Sequence, residues 1–219
     1  MLKIGHRGAK GYVAENTLAS FQKAIDLGCD GIELDVHLSK DGQIVVIHDD
    51  TIDRTTSAKG FVNEMTLKEL KKYDIPMLQE VFKIVNNNIL VNIEIKSYET
   101  IEKVIDFIEK LILDINRNYN SILISSFNWE ALQKVHSINN KIQIGVLTEN
   151  DLDKAQAFAK KINAYSINPY FKLLSSEKVL EMHQKGFKIF TWTVNSEEDV
   201  TFVKNLKVDA IISDFPDRI

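Results

Sequence analysis

The chain has 219 residues, of which 44% are apolar and 26% are charged, a composition that excludes disordered, collagen-like and low-complexity classes. A chain of this length can bury one sizeable hydrophobic core without disulfides. The 27 basic and 31 acidic residues give a net charge of −4, and the absence of a basic stripe predicts that the protein does not bind nucleic acid.

The cysteine content and the apolar runs bear on where the protein works. The single cysteine, Cys29, cannot form an internal disulfide or a cysteine-based zinc site, which fits a reducing compartment. No apolar run approaches the roughly 18 residues of a membrane span, and the segment Met1–Ile4 lacks the apolar region of a signal peptide. We therefore predict a cytoplasmic protein without a stable membrane anchor, and its oligomeric state stays open.

Short β-rich runs alternate with amphipathic segments, and no Gly/Ser-rich or Pro-rich linker separates them. Each run has the length of a buried strand. The alternation predicts one continuous domain over residues 1–219. The predicted strands are Lys3–Arg7, Gly31–His37, Ile44–His48, Leu90–Lys96, Ile122–Phe127, Ile142–Leu147, Tyr165–Asn168, Lys188–Val194 and Ala210–Ser213.

Helical periodicity fills most of the gaps between these strands. The predicted helices are Asn16–Leu27, Leu67–Lys72, Met77–Asn86, Ile101–Ile115, Trp129–Ser137, Asp151–Lys161, Ser176–Gln184 and Glu197–Asn205. Ser176 and Ser196 stand where N-caps are expected, and Gly28 and Gly186 stand where a glycine ends a helix. About eight repeats of strand and helix favour a (β/α)8 TIM barrel over a doubly wound sheet.

One segment interrupts the regular alternation. Residues 50–70 follow the second strand and its hairpin return, and they carry Thr, Ser, Lys and Gly before a weak helix. They are interpreted either as a short insertion that caps one mouth of the barrel or as an ordinary long loop. The predicted fold class is therefore α/β, a (β/α)8 TIM barrel with a short capping insertion after the second strand.

Charged side chains occupy alternate positions of the strand Gly31–His37. Its even-numbered residues are apolar, while Glu33, Asp35 and His37 share the opposite face. In a barrel the apolar face meets the helices, so the two carboxylates point inward. An unpaired buried carboxylate is costly, and two together repel each other. A positive partner is therefore expected.

The next parallel strand adds Glu94 and Lys96 on its inward face. Three carboxylates against one lysine leave excess negative charge, which a divalent cation such as Mg²⁺ or Ca²⁺ neutralises through oxygen ligands. The alternative is a buried ion-pair network in which Arg7 and Lys96 balance the carboxylates. Acidic residues at alternate positions of interior strands favour the cation.

Two histidines follow strand ends in the same region. His6 lies at the C-terminal end of the first strand, and His48 lies at the end of the hairpin return. Active sites of this barrel collect at that end of the strands, and a pair of imidazoles near carboxylates can act as base and acid. Arg7 and Lys96 add local positive charge suited to an anionic substrate, for which a phosphate fits best.

Short motifs follow one another in a fixed order along nearly the whole chain. They are His6-Arg7-Gly8, Glu15-Asn16-Thr17, Glu33-Leu34-Asp35-Val36, His48-Asp49, Asp53-Arg54-Thr55-Thr56, Ile75-Pro76-Met77-Leu78-Gln79-Glu80, Asn92-Ile93-Glu94-Ile95-Lys96, Trp192-Thr193-Val194-Asn195, Val208-Asp209-Ala210 and Ser213-Asp214-Phe215-Pro216. Each motif alone is weakly specific, but together and in this order they are strong evidence. In these motifs the chain resembles the glycerophosphodiester phosphodiesterase family along nearly its whole length.

The resemblance implies a TIM barrel that uses a divalent cation, Mg²⁺ or Ca²⁺, to hydrolyse glycerophosphodiesters to glycerol 3-phosphate and an alcohol. Carried over by motif, it implies that the metal ligands are Glu33, Asp35 and Glu94, that the acid–base pair is His6 and His48, and that the substrate-binding residues are Arg7, Lys96, Glu15 and Trp192. Glu15 is alternatively part of a helix N-terminus, and Trp192 is alternatively a core aromatic.

Some positions depart from the common family forms without removing a proposed catalytic group. Met77, Ala210 and Ser213 replace Thr, Gly and Thr, and His37 stands where Gln is frequent and is interpreted as an interior filler. The stretch after Arg54 is short for the family's insertion, so substrate selectivity stays open. The alternative functions are a lysophospholipase D-like enzyme acting on lysolipids and a catalytically inactive module that binds metal and phosphate.

Overall fold

Eight parallel strands close into a barrel in the computed structural model, which describes residues 1–114 and 117–219. The strands, with one antiparallel hairpin strand, are β1 (Leu2–Gly5), β2 (Gly31–Leu38), β3 (Ile44–Val46), β4 (Leu90–Ile95), β5 (Ile122–Ser126), β6 (Gln143–Thr148), β7 (Ser166–Pro169), β8 (Lys188–Thr191) and β9 (Ala210–Ser213). β3 pairs antiparallel with β2 as a hairpin return, and β1 closes the barrel by pairing with both β2 and β9. The predicted (β/α)8 TIM barrel is confirmed.

Helices follow the strands and form the outer layer. They are α1 (Leu18–Asp26), α2 (Leu67–Leu70), α3 (Leu78–Ile84), α4 (Ile101–Asp114), α5 (Trp129–Ile138), α6 (Leu152–Lys161), α7 (Ser176–Gln184) and α8 (Glu197–Asn205). The predicted helix Ile101–Ile115 is seen up to Asp114, and Ile115 lies outside the described residues. No described helix combines the length and the apolar character needed to cross a membrane.

Helix ends mostly agree with the predicted caps. Gly28 and Gly186 adopt positive φ angles of 74° and 87° just after their helices, and Ser196 caps α8 by accepting a hydrogen bond from the backbone of Asp199. The prediction of Ser176 as an N-cap was wrong. The cap is Ser175, whose Oγ accepts the backbone N–H of Lys178 at 3.2 Å, so Ser176 is the first helical residue.

The first strand is shorter than predicted, and this places two candidate site residues in a loop. β1 ends at Gly5 because Arg7 turns into the left-handed region at φ 49°, followed by Gly8 at φ 83°. The Arg7 carbonyl accepts hydrogen bonds from the Ser20 hydroxyl and the Asn16 backbone. His6 and Arg7 therefore lie on the loop that leaves β1 at the C-terminal end of the barrel.

Apolar side chains form two layers, one on each face of the barrel strands. The outer layer lies between strands and helices, and it includes Ile32 and Leu34 of β2. The inner layer lies within the barrel, where Ile4, Leu123, Phe190 and Ile212 pack together. The period-two alternation thus buries apolar residues outward on β2 and leaves its inward positions to polar side chains.

Residues 50–73, which we call the capping insertion, connect the hairpin to α3. The insertion contains α2 and short 3₁₀ turns, and its Ile52, Val62 and Leu70 pack with apolar residues of the hairpin in a cluster of their own. Its Arg54 reaches Glu15 on the loop after β1. An apolar cluster and a contact across the barrel mouth favour the capping interpretation over an ordinary loop.

Gly8 holds the loop after β1 in place, because a Cβ there would lie 2.5 Å from a backbone carbon of Ser20. We expect Gly8→Ala to destabilise the fold by about 1–3 kcal/mol more than Gly28→Ala does, since overpacking adds to the positive-φ cost. Gly28 is the matched control, with a similar φ and no atom within 4 Å of the place that a Cβ would take. Denaturant unfolding of both variants measures the difference, and equal midpoints would contradict the close approach.

Candidate active site

A cavity of about 250 Å³ opens at the C-terminal ends of the strands. It brings together seven of the nine predicted site residues, namely His6, Arg7, Glu33, His48, Glu94, Lys96 and Trp192. Phe127, Leu147 and Trp192 line another part of its wall. The cavity therefore combines titratable groups with an apolar side, as small-molecule sites do.

The three predicted metal ligands meet because of strand register. β2 and β4 pair so that Asp35 lies opposite Glu94, and Glu33 is two residues before Asp35 on the same face. One carboxylate oxygen from each of the three lies within 4.8 Å of the others. Glu33 and Asp35 are only 4% and 1% exposed. Adjacent strands thus place three carboxylates in one largely buried cluster.

Burial and repulsion make this cluster electrostatically unfavourable by itself. Burial, followed by the nearby charges of Asp35 and Glu94, raises the pKa of Glu33 well above its usual value. Burial and the charge of Asp35 raise the pKa of Glu94 to about 7. Both shifts arise because the ionised carboxyl loses water and faces like charges. Additional positive charge would be needed to keep Glu33 and Glu94 fully ionised at neutral pH.

Two protein cations compensate part of this charge. Lys96 Nζ donates to Glu94 Oε1 at 2.7 Å and lies 3.6 Å from Asp35 Oδ1. Arg7 Nε is 3.3 Å from Asp35 Oδ2, although its N–H is not directed at that oxygen. The Arg7 guanidinium also donates to Glu15, and this carboxylate neutralises part of the arginine charge. The ion-pair network predicted as an alternative therefore exists and leaves an excess of negative charge.

The residues present fit a divalent cation. Glu33 Oε1 is buried and has no hydrogen-bond partner in the described part of the chain, while Glu33 Oε2 accepts the backbone N–H of Arg7 at 2.9 Å. A buried carboxylate oxygen without a donor is costly unless something positive contacts it. Three carboxylates supply the hard oxygen ligands that Mg²⁺ and Ca²⁺ prefer. The cluster could hold either ion.

His6 is held by a carboxylate from the end of the chain. Its Nδ1 lies 2.6 Å from Asp214 Oδ1, and its Nε2 lies 4.0 Å from Glu33 Oε2. An Nδ1–H that donates to Asp214 leaves Nε2 as the free position facing the cluster. Burial lowers the pKa of His6, so its neutral form is favoured near pH 7.

His48 repeats this arrangement with its sequence neighbour. Its Nδ1 lies 2.6 Å from Asp49 Oδ1, and Lys96 Nζ donates to its Nε2 at 3.1 Å. Burial lowers its pKa as well. Both candidate acid–base residues therefore have an imidazole oriented by a carboxylate on Nδ1. Nε2 of His6 faces the acidic cluster, and Nε2 of His48 is held by Lys96.

Glu15 contacts arginines and not His6. Its carboxylate accepts hydrogen bonds from Arg7 and from Arg54, each at 2.7 Å at the shortest. Burial opposes ionisation of Glu15, but these hydrogen bonds outweigh it and lower its pKa to about 2. Its neighbour Asn16 donates from Nδ2 to Asp35 Oδ2 at 2.9 Å. Both residues therefore support the cluster from its side.

Three supporting residues had no assigned role at the level of sequence, namely Asp49, Arg54 and Asp214. Each lies inside one of the family motifs, which is the signal that could have indicated a role. The partners of Arg54 and Asp214 include residues 39 and 208 positions away in the chain, which local patterns do not reveal. Asp214 also accepts a hydrogen bond from Asn195, which fixes its orientation. Asp214 and Asp49 contact the two imidazoles directly, and Arg54 contacts Asp49.

Trp192 lines the cavity as a fixed wall. Its indole N–H donates to the Asn168 carbonyl at 2.8 Å, and its ring packs edge-on against Phe127 at 5.4 Å. His37 lies inside the barrel, where its Nε2 donates to the His48 carbonyl at 3.1 Å. This contact agrees with the interpretation of His37 as a residue that fills the interior.

If the cluster binds a metal ion, Glu94→Gln should have opposite effects on the thermal stability of the metal-free and the metal-bound protein. At pH 8 in a chelator, we expect the variant to unfold at a higher temperature than the wild type, because one of three repelling charges is removed. With Mg²⁺ or Ca²⁺ added, the wild type should gain stability and the variant should gain little; each kcal/mol corresponds to about 2–4 °C.

Thermal unfolding monitored by circular dichroism, with and without metal, measures both effects. Asp106→Asn serves as a control, because Asp106 lies on α4 away from the cluster. An equal metal-induced shift in wild type and Glu94→Gln would remove Glu94 from the ligand set.

Comparison with known proteins agrees with this geometry. The model of the glycerophosphoryl diester phosphodiesterase family matches residues 6–218. A glycerophosphodiester phosphodiesterase from Caldanaerobacter subterraneus subsp. tengcongensis is 42% identical over 235 residues, covering 100% of this chain and 96% of the relative.

Two solved structures share the fold along nearly the whole chain. A glycerophosphodiester phosphodiesterase from Thermotoga maritima matches with a TM-score of 0.87 and 30% identity, covering 99% of this chain and 96% of that one. A phosphodiesterase from Oleispira antarctica, solved with its product sn-glycerol-3-phosphate, matches with a TM-score of 0.87 and 27% identity, covering 99% and 94%. The chain therefore belongs to the glycerophosphoryl diester phosphodiesterase family and is a phosphoric diester hydrolase.

Proposed function

We propose that the enzyme hydrolyses glycerophosphodiesters to glycerol 3-phosphate and an alcohol, with a divalent cation on Glu33, Asp35 and Glu94 and with His6 and His48 as the proton-transfer pair. One observation carries the proposal most directly. Two imidazoles, each oriented by a carboxylate, border the same cavity as the acidic cluster. A small-molecule diester is the substrate class that suits this cavity.

The charged groups divide the binding of the diester between them. When bound, the cation would act as a Lewis acid toward a phosphoryl oxygen. Arg7 and Lys96 border the cavity and offer N–H donors to the remaining phosphoryl oxygens, where negative charge increases in the transition state. Both cations are already held by carboxylates, so they are oriented before the substrate arrives.

The two histidines move the protons. One Nε2 accepts the proton of the attacking hydroxyl, and the other, protonated, donates to the leaving alkoxide. Each of these two proton transfers contributes about 10²- to 10⁴-fold to the rate. The carboxylates of Asp214 and Asp49 stabilise the imidazolium that forms on either ring, because they accept its Nδ1–H. The assignment of base and acid within the pair stays open.

The nucleophile is either water or the 2-hydroxyl of the glycerol moiety. Internal attack would form a cyclic phosphate at high effective molarity, and water would open it in a second step. Reaction in ¹⁸O-water with quenched time points distinguishes the two routes. A transient cyclic product supports internal attack, and its absence at all times supports direct attack by water.

A lysophospholipase D-like activity is the second candidate, and one feature of the cavity favours it. Phe127 is 44% exposed beside Trp192 at the cavity rim, which offers an apolar surface to an acyl chain. Assays of glycerophosphocholine and of a detergent-dispersed lysophosphatidylcholine at equal concentration compare the two substrates. If the enzyme prefers the lysolipid and Phe127→Ser reduces this preference, the lysophospholipase D-like activity would take the place of the first proposal.

A cytoplasmic location and a single domain over residues 1–219 stay predictions.

Removal of the carboxylate behind His6 should reduce turnover without removing the metal site. We expect Asp214→Asn to lower kcat by roughly 10- to 10³-fold, because the amide favours the wrong tautomer and cannot stabilise the imidazolium. The matched control is Asp209→Asn, since His183 and Asp209 form a similar pair at 2.8 Å outside the cavity. Steady-state kinetics with glycerophosphocholine measure both. Equal losses in the two variants would show a general structural effect.

A metal titration should distinguish the metal ligands from the proton-transfer residues. We expect chelation to abolish turnover and Mg²⁺ or Ca²⁺ to restore it. Glu94→Ala should weaken metal affinity and turnover together, whereas His48→Ala should lose turnover at nearly unchanged metal affinity. Isothermal titration beside kinetics tests this pair. Turnover in His6→Ala and His48→Ala equal to the wild type would exclude the histidine mechanism.

A further inference from the structure

Arg54 of the capping insertion connects both sides of the site. Its Nη1 and Nη2 donate to Glu15 at 2.9 and 2.7 Å, and its Nε and Nη2 donate to Asp49 at 2.7 and 3.1 Å. One guanidinium therefore makes four hydrogen bonds to two carboxylates, which belong to different loops of the barrel mouth.

Each of these carboxylates holds a residue that borders the cavity. Asp49 accepts the Nδ1–H of His48 at 2.6 Å, and Glu15 accepts from Arg7 Nη1 at 2.7 Å. The contacts form a continuous sequence, Arg7–Glu15–Arg54–Asp49–His48. A movement of Arg54 would release both carboxylates, Asp49 and Glu15, from the orientation they have here.

We propose that Arg54 is a positioning residue, which sets the orientation of His48 through Asp49 and of Arg7 through Glu15. The capping insertion then serves the chemistry directly, because its Arg54 holds two carboxylates that each contact a residue of the cavity. This inference rests on the proposed roles of His48 and Arg7 in the hydrolysis.

The geometry distinguishes this contact from an ordinary surface ion pair. Isolated exposed pairs contribute little, since water and side-chain entropy offset the attraction. Here the Glu15 side chain is only 9% exposed, and the planar fork of arginine engages both carboxylates bidentately. Lysine could supply the charge but not two parallel pairs of hydrogen bonds.

A direct contact between Arg54 and the substrate is the competing role. The Arg54 side chain is 46% exposed and lines a second cavity of about 430 Å³ that shares His48 with the first. A direct contact predicts a change in KM that depends on the alcohol of the diester. A positioning role predicts a change in kcat that is similar for different alcohols.

The first experiment compares Arg54→Met and Arg54→Lys in the metal-loaded enzyme. We expect kcat of Arg54→Met to fall by roughly 10- to 100-fold with glycerophosphocholine and with glycerophosphoethanolamine alike, since small misplacements of reacting groups are that costly. Arg54→Lys should recover part of the loss. A wild-type kcat in Arg54→Met, or a loss confined to KM for one alcohol, would overturn the inference.

A double-mutant cycle tests the route through Asp49. If Arg54 acts on His48 through that carboxylate, Arg54→Met should lower kcat clearly less in the Asp49→Ala background than in the wild type, because only the route through Glu15 remains. Fully additive losses would contradict the route. If Arg54→Met does not fold, Arg54→Lys replaces it in the double-mutant cycle, because lysine keeps the positive charge.

A control within the same insertion excludes a general loss of order. Lys71 pairs with Glu80 and contacts neither histidine nor Arg7, so Lys71→Met removes one ion pair of the insertion and should leave kcat unchanged. Equal losses in Lys71→Met and Arg54→Met would overturn the specific role.

The outcomes also distinguish this inference from the proposed function. If the wild type turns over and His48→Ala does not, a fully active Arg54→Met refutes only the positioning role. If wild type loaded with Mg²⁺ or Ca²⁺ hydrolyses no glycerophosphodiester, the proposed function fails, and the positioning role fails with it.

Discussion

Repulsion among three buried carboxylates is the constraint on which the rest of the site depends. Two full charges within 4.8 Å repel by about 3–4 kcal/mol at an effective dielectric constant of about 20. The inward faces of β2 and β4 nevertheless place Glu33, Asp35 and Glu94 at that separation. A fold selected for stability alone has little reason to keep such a cluster. Lys96 and Arg7 neutralise part of its charge, and the negative charge that remains could be neutralised by a bound cation.

Environment divides the acidic residues of the barrel mouth into two classes. In the cluster, burial and like charges raise the pKa of Glu33 and Glu94, so these carboxyls are ionised near neutral pH only with further positive charge nearby. Around it, hydrogen bonds from Arg54 and His48 hold the pKa of Asp49 below its usual range, and the hydrogen bond from His6 outweighs burial and lowers that of Asp214. The outer carboxylates stay ionised and orient the imidazoles. One residue type thus performs two roles because its neighbours differ.

Local patterns predicted the parts of the site that depend on one strand. Alternation along Gly31–His37 was sufficient to place Glu33 and Asp35 inside the barrel, because side-chain direction in a strand has a period of two. It was not sufficient for Arg7, whose φ of 49° ends β1 and depends on hydrogen bonds with Ser20 and Glu33 from other elements. Asp214 supports His6 across 208 residues of sequence, a pairing that periodicity cannot indicate.

Closure of the barrel explains why such distant support is possible. β9 pairs in parallel with β1, and the backbone of His6 donates to the Ser213 carbonyl, so Asp214 follows directly beside the imidazole. The same edge is reinforced by Gly11, whose N–H donates to the Asp214 carbonyl and whose missing side chain leaves room for the Phe215 ring. His6 on the first loop therefore gains its orienting carboxylate only when the last strand is in place. Because that pairing has the longest sequence separation of any in the sheet, the order of the candidate site is coupled to completion of the whole fold.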